Sequence, residues 1–137
     1  MILSDHFISL NTKLTAVFRN ISSRYDVSFS QYCIIMKIQS SGTPMSNLAK
    51  NLGLDKSTLT RNIDVLIKRD IVEKFKDSKD LRVYKVVLSD IGEKLKFDLY
   101  SELDVFTSNF LTSLDENTRS QINIIDKLVQ KLDGQEV

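Results

Sequence analysis

TPMSNLAKNLGLDKSTLTRNIDVLIKRD, residues 43–70, decides the fold. Thr43 and Pro44 read as a helix start, with Thr43 as N-cap and Pro44 at the first helical position, where its missing N–H costs nothing. Met45, Leu48, Ala49 and Leu52 then recur at helical spacing, and Gly53 stops the helix. Asp55 is the next N-cap. It opens a second helix, reaching about Arg69, with Leu59, Ile63, Leu66 and Ile67 on one side. Two short helices about a glycine turn predict a helix-turn-helix.

C-terminal to this pair the period changes to two. Ile71 to Phe75 reads as a strand, Lys76 to Leu81 as a charged turn, and Val83 to Leu88 as a second strand with Tyr84, Val86 and Leu88 on one face. A helix-turn-helix followed by such a hairpin predicts a winged helix. The expected fold class is mainly α with a small β-hairpin wing.

Further out, the chain is helical on both sides. Phe7, Leu10, Leu14, Val17, Phe18, Ile21 and Tyr25 mark a helix over about 5–25. Asp26 to Phe29 breaks the pattern, and a second helix is expected from about Ser30 to Ser40, ended by Ser41 and Gly42. Ser89 and Asp90 start a long helix carrying Ile91, Leu95, Leu99, Leu103, Phe106 and Phe110. Asp115 is expected to cap one last helix with Ile122, Ile125, Leu128, Val129 and Leu132. One domain over 1–137 is expected, with a winged core at about 30–90 and dimerisation helices at about 5–25 and 90–134. Three apolar stripes are more than a fifty-residue winged unit can cover, so a two-fold homodimer is expected.

Composition fits a globular chain: 42% hydrophobic, 27% charged, one proline and four glycines in 137 residues. A single cysteine, Cys33, excludes an internal disulfide framework and a cysteine zinc site. No apolar run nears the ~18 residues of a membrane span and no signal peptide is visible, so a cytoplasmic location and no membrane partner are expected. The net charge is +1, yet Thr43–Asp90 holds ten Lys/Arg against seven Asp/Glu, +3, and the remainder is −2. The middle of the chain is the electropositive part, which supports a polyanionic partner.

On the helix from Asp55, the side opposite the apolar stripe carries Ser57, Arg61, Asp64, Val65 and Lys68, flanked by Thr58 and Thr60. Lys56 lies in its first turn. Hydroxyls and an arginine at a helix N-terminus suit a major groove: Ser and Thr bond phosphates or base edges, and Arg bonds guanine bidentately. The alternatives for Arg61 are solvation or pairing with Asp64; Lys68 suits phosphate contact or solvation. At the hairpin tip, Lys76 and Lys79 suit phosphates. Asp80 and Arg82 lie two apart in an extended segment, so Asp80 can hold the Arg82 guanidinium for a minor groove. A solvated charged turn is the alternative.

The chain resembles the MarR family of transcriptional regulators. The resemblance rests on Ser46-Asn47-Leu48-Ala49-Lys50, Leu52-Gly53-Leu54-Asp55-Lys56-Ser57-Thr58-Leu59-Thr60-Arg61, Leu66, Arg69-Asp70-Ile71-Val72, Asp77-Ser78-Lys79-Asp80-Leu81-Arg82 and Val86-Val87-Leu88-Ser89-Asp90-Ile91-Gly92. It implies a sequence-specific regulator, usually a repressor, acting as a triangular homodimer on a pseudo-palindromic double-stranded DNA operator. It implies recognition-helix contacts from Ser57, Thr58 and Arg61, and a minor-groove Arg82 braced by Asp80. It also implies a small aromatic or phenolic effector, whose pocket near the first, second and fifth helices has no lining residue that the sequence names. Two positions depart from the family: Leu81 stands where a second arginine is common and Ser78 where proline is, implying a weaker and more mobile wing.

Nothing points to catalysis. His6 is the only histidine, and no phosphate loop, nucleophile elbow or carboxylate pair stands out, so no enzyme, cofactor or metal is expected. Cys33, among Tyr32, Ile34, Ile35 and Met36, reads as a buried structural residue. Some relatives sense oxidants through a lone cysteine, typically in the first helix; Cys33 falls in the second. A winged helix that binds proteins rather than DNA is the competing reading; Arg61 and Arg82 on two elements facing one duplex argue against it.

Overall fold

A computed structural model describes residues 2–135. The chain divides into two compact units, Met1–Ser101 and Glu102–Val137, with the boundary inside one long helix.

The first unit begins with α1 (Leu3–Ser23) and α2 (Phe29–Lys37). The expected break at 26–29 is the cap of α2. The Ser28 hydroxyl accepts the Gln31 backbone N–H, and the Gln31 side chain accepts that of Ser28, both at 3.2 Å. Phe18 of α1 stacks on the buried Tyr32 of α2, ring centroids 5.6 Å apart. At the far end of α2, the Lys96 ammonium donates to the carbonyl of Ile38 at 2.7 Å.

Thr43 and Pro44 depart from expectation. They form a short strand, β1 (Thr43–Pro44), paired antiparallel with Val86 and Lys85. Thr43 is buried, and its hydroxyl accepts the Gln39 backbone N–H at 2.9 Å. The extended Pro44 is therefore the N-cap, and the helix starts one residue later than the sequence suggests: α3 (Met45–Leu52). Strand pairing consumed the backbone that capping would have used, and the missing N–H of Pro44 is tolerated at a strand end.

Gly53 ends α3 at φ +63°, the left-handed conformation that glycine adopts without strain. Asp55 then caps α4 (Lys56–Lys68), accepting the Thr58 N–H at 2.7 Å. Leu59, Ile63 and Leu66 are buried on its inner side, with Leu48 of α3 and Ile34, Ile35 and Ile38 of α2's segment also in the core. Truncating such a residue to alanine costs about 2–5 kcal/mol, so the orientation of α4 is fixed by packing.

Two strands follow, β2 (Val72–Lys76) and β3 (Tyr84–Leu88), giving a three-stranded sheet of order β1-β3-β2. Register sets Val72 opposite Leu88, Lys74 opposite Val86 and Lys76 opposite Tyr84. The face holding buried Val72, Val86 and Leu88 thus runs out of the core into Lys74, Tyr84 and Lys76. Ser89 caps α5 (Asp90–Ser113) by accepting the Gly92 N–H at 3.0 Å. Leu99 of α5 is fully buried.

The second unit holds the end of α5, then α6 (Glu116–Ser120) and α7 (Ile124–Asp133). The single last helix expected after Asp115 is two. Asp115 does cap α6, accepting the Thr118 N–H at 2.8 Å. Tight i→i−3 backbone bonds from Gln121, Ile122, Ile124 and Ile125 then interrupt the α-ladder around Asn123. None of the described residues of this unit is buried. Among the described residues, no helix is long and apolar enough to cross a membrane.

Candidate nucleic-acid interface

The outer face of α4 is polar and exposed, with Lys56, Ser57, Arg61, Asp64 and Lys68 in solvent. Its first turn is preorganised by Asp55. One carboxylate oxygen accepts the Thr58 N–H and the Ser57 hydroxyl, the other the Thr58 hydroxyl at 3.0 Å. These bonds hold the Asp55 carboxyl below its usual range, the Thr58 backbone N–H contributing most and Arg61 adding a weak pull. The Arg61 guanidinium donates to the Thr58 hydroxyl at 3.4 Å, and the Thr60 hydroxyl donates to the Lys56 carbonyl at 2.8 Å. The hydroxyls named from the sequence are thus engaged in the helix's own first turn, and Thr58 and Thr60 are half-buried. Arg61 is oriented from Thr58, and through it from the cap.

On the wing, Asp80 and Arg82 form a forked pair. Nε of Arg82 donates to Oδ1 of Asp80 at 3.1 Å and a terminal guanidinium nitrogen to Oδ2 at 3.2 Å, while the Arg82 backbone N–H also reaches Oδ1. The Arg82 side chain is nevertheless 90% exposed. An arginine this open normally samples many rotamers; here a bidentate contact selects one. The arginine donors hold the Asp80 carboxyl below its usual range, so the brace stays ionised at neutral pH. Val83 donates to the Asp80 carbonyl and Asp77 to that of Val83, closing the tip, and Lys85 pairs with Asp77 at 3.8 Å. Lys79 is exposed, its backbone N–H on Asp77.

A groove of about 640 Å³ separates the wing from the helix pair. Lys56 and Thr60 of α4 line it with Arg82 of the wing, so the structure brings these three sequence-named residues together. Ser57, Thr58 and Arg61 lie on the same α4 turns outside it, and Lys68 stands at the opposite end of α4. The sequence reading passed over two groove residues, Lys74 and Tyr84. The Lys74 ammonium lies 4.7 Å from the Tyr84 ring centroid and that of Lys76 5.7 Å. Strand register was the signal that would have found them.

Cys33 is half-buried rather than buried, and burial pushes its thiol upward, against a smaller opposing pull from Lys37. Among the described residues, no group of three or more His, Cys, Asp or Glu could hold a metal ion.

A helix-turn-helix whose second helix presents a polar outer face, followed by a hairpin with a braced arginine, defines a winged helix-turn-helix protein. Residues 27–84 match the MarR family model, and this segment is similar to that family. It is 28% identical over 124 residues to the uncharacterized HTH-type transcriptional regulator YhbI of Bacillus subtilis, covering 82% of this chain and 80% of that one. A MarR transcriptional regulator from Methanosarcina mazei shares the fold at a TM-score of 0.79 and 22% identity, covering 96% of this chain and 95% of that one. Staphylococcus aureus MepR, solved as a DNA complex, does so at 0.74 and 17%, covering 98% and 99%.

Proposed function

We propose that this transcriptional regulator binds a pseudo-palindromic double-stranded DNA operator as a homodimer and represses from it. The observation that carries the reading is Arg82: a guanidinium 90% exposed, yet fixed by two bonds from Asp80. Bracing a cation in open solvent gives a lone molecule little, because exposed pairs contribute little to stability. It lowers the ordering cost of inserting that cation into a minor groove. In this reading α4 enters the major groove. Arg61 reads a base edge, Ser57, Thr58 and Thr60 serve phosphates or base edges by exchanging internal bonds, and Lys56, Lys68, Lys76 and Lys79 contact phosphates. MepR, whose structure was solved with DNA, supports the partner class by its shared fold.

The homodimer reading draws on apolar surface. Phe7, Leu10 and Leu14 of α1 are exposed, as are Ile124, Ile125, Leu128, Val129 and Leu132 of α7. Stripes of this kind mark interfaces. Helices at about 5–25 and 90–134 form the dimerisation region around a winged core at about 30–90, within one functional domain over 1–137. Half-sites lie about one helical turn apart. A small aromatic or phenolic effector relieves repression, and the protein acts in the cytoplasm as a regulator, not an enzyme; the relative YhbI carries the name of a transcriptional regulator.

Fluorescence anisotropy against DNA upstream of the protein's own gene, at two salt concentrations, tests this. Wild type is expected to bind tightly and salt-sensitively, with Arg61→Ala and Arg82→Ala each weaker by about 1–3 kcal/mol. Only weak, sequence-independent binding by wild type would refute it.

A further inference from the structure

The wing face that leaves the core ends in an aromatic ring approached by two ammonium groups from the neighbouring strand. Register places Lys76 directly opposite Tyr84, and Lys74 diagonal to it. Both ammoniums approach the ring, at 4.7 Å for Lys74 and 5.7 Å for Lys76. Tyr84 is 43% exposed, and on its other side the same face continues into buried Val86. With Lys74 it lines the groove whose apolar floor includes Met45, Ala49 and Leu59. Beside such a floor an unheld lysine would turn its ammonium out to bulk water. The negative face of the ring supplies an alternative to hydration.

We propose that Tyr84 is a positioning residue for DNA binding: its ring holds the ammonium groups of Lys74, in the channel between wing and recognition helix, and of Lys76, further along the wing, where they meet the phosphates flanking Arg82. This rests on the DNA-binding reading above and extends it to two residues, Lys74 and Tyr84, that do not lie on the recognition helix or the hairpin tip. The lysines supply charge. The ring supplies their placement, so it affects affinity without itself neutralising a phosphate.

The test is a set of anisotropy titrations over several salt concentrations on the duplex that wild type binds most tightly. The proteins are wild type, Tyr84→Phe, Tyr84→Leu, Lys74→Met/Lys76→Met and the triple variant. Tyr84→Phe keeps the ring and is expected to bind as wild type does. Tyr84→Leu is expected to bind about two- to five-fold more weakly per lysine released, with little change in salt slope. The double lysine variant is expected to lower the slope by about one for each phosphate left without its lysine. In that background Tyr84→Leu is expected to have no further effect. Three results overturn the proposal: Tyr84→Leu binding as wild type, Tyr84→Phe as weak as Tyr84→Leu, or an equal weakening from Tyr84→Leu with the lysines absent. An unchanged salt slope in the double lysine variant also overturns it. A wild-type protein that prefers no duplex overturns the DNA reading too, whereas tight wild-type binding indifferent to Tyr84→Leu overturns this inference alone.

Discussion

Gly92→Ala places a methyl group where the fold has no room. A Cβ there would stand 2.1 Å from the carbonyl oxygen of Ile71, 3.1 Å from its carbon and 3.2 Å from Cβ of Leu88. The first contact is more than 1 Å too close, and its partner is backbone, so α5 must lift from the β2 end of the wing. Lifting endangers two hydrogen bonds. The Ser89 N–H donates to the Ile71 carbonyl at 3.0 Å, and the single Ser89 hydroxyl proton is shared between the carbonyls of Asp70 and Ile71. At about 1 kcal/mol net each, their loss totals ~2 kcal/mol. Alanine returns about 1 kcal/mol through its better helix propensity. The expected net destabilisation is ~1 kcal/mol. With an unfolding entropy of about 2.1 cal/mol/K per residue, a 137-residue chain should lose ~3.5 °C in Tm. Thermal melts at one fixed protein concentration measure this, since dimerisation makes Tm concentration-dependent. Ser89→Ala removes without any clash both the donated hydroxyl bond and the cap that accepts the Gly92 N–H, about 2 kcal/mol together, and should melt below Gly92→Ala. A Gly92→Ala protein melting at or above wild type would refute the close approach of α5 to Ile71.

Gly53→Ala meets no atom within 4 Å, so its cost is backbone strain alone, about 1–2 kcal/mol, and Gly53→Asn should recover part of it in the same melts. The carboxyls of Asp55 and Asp80 are both lowered, so their contribution is present above the ordinary aspartate range and is lost only as pH falls through their lowered values. The Tm difference between wild type and Asp55→Asn should therefore stay constant from pH 7 to about 5 and shrink only in stronger acid; a difference already gone at pH 6 would contradict the cap. Burial raises the Cys33 thiol, so in the folded protein it should react with a disulfide reagent at pH 8 more slowly than glutathione does, and faster after unfolding in urea. A rate above that of glutathione would reopen a redox role for this residue.

Much of the fold is legible in local signals. Gly53 and Asp55 mark the turn and the second helix because a left-handed C-cap and a carboxylate N-cap are decided within four residues. The buried stripe Leu59, Ile63 and Leu66 follows from helical period, and its complement gives Arg61 and Lys68 their exposed positions. Asp80 and Arg82 pair as the sequence suggests but for another reason: the segment is not extended but a tight turn, closed by the Val83 N–H on the Asp80 carbonyl, and the Asp80 carboxylate accepts the Arg82 backbone N–H and guanidinium together. The helix boundary at Thr43 was not legible. Its local preference is to cap, and a strand more than forty residues away recruits it instead. The split of the last helix turned on tight turns about Asn123 that apolar spacing alone does not register.

By itself, then, the sequence determined the helix-turn-helix, the wing and the outward side chains of α4, since period, caps and turns are properties of neighbouring residues. Tertiary structure decided which cations converge. Lys74 reads as one more strand lysine until register sets it diagonal to Tyr84, and Lys56 and Arg82 share a groove because the packed core fixes α4 against the wing. The placement of a charge beside an aromatic ring or a distant helix depends on contacts between segments far apart in the chain, and local pattern carries no record of those distances.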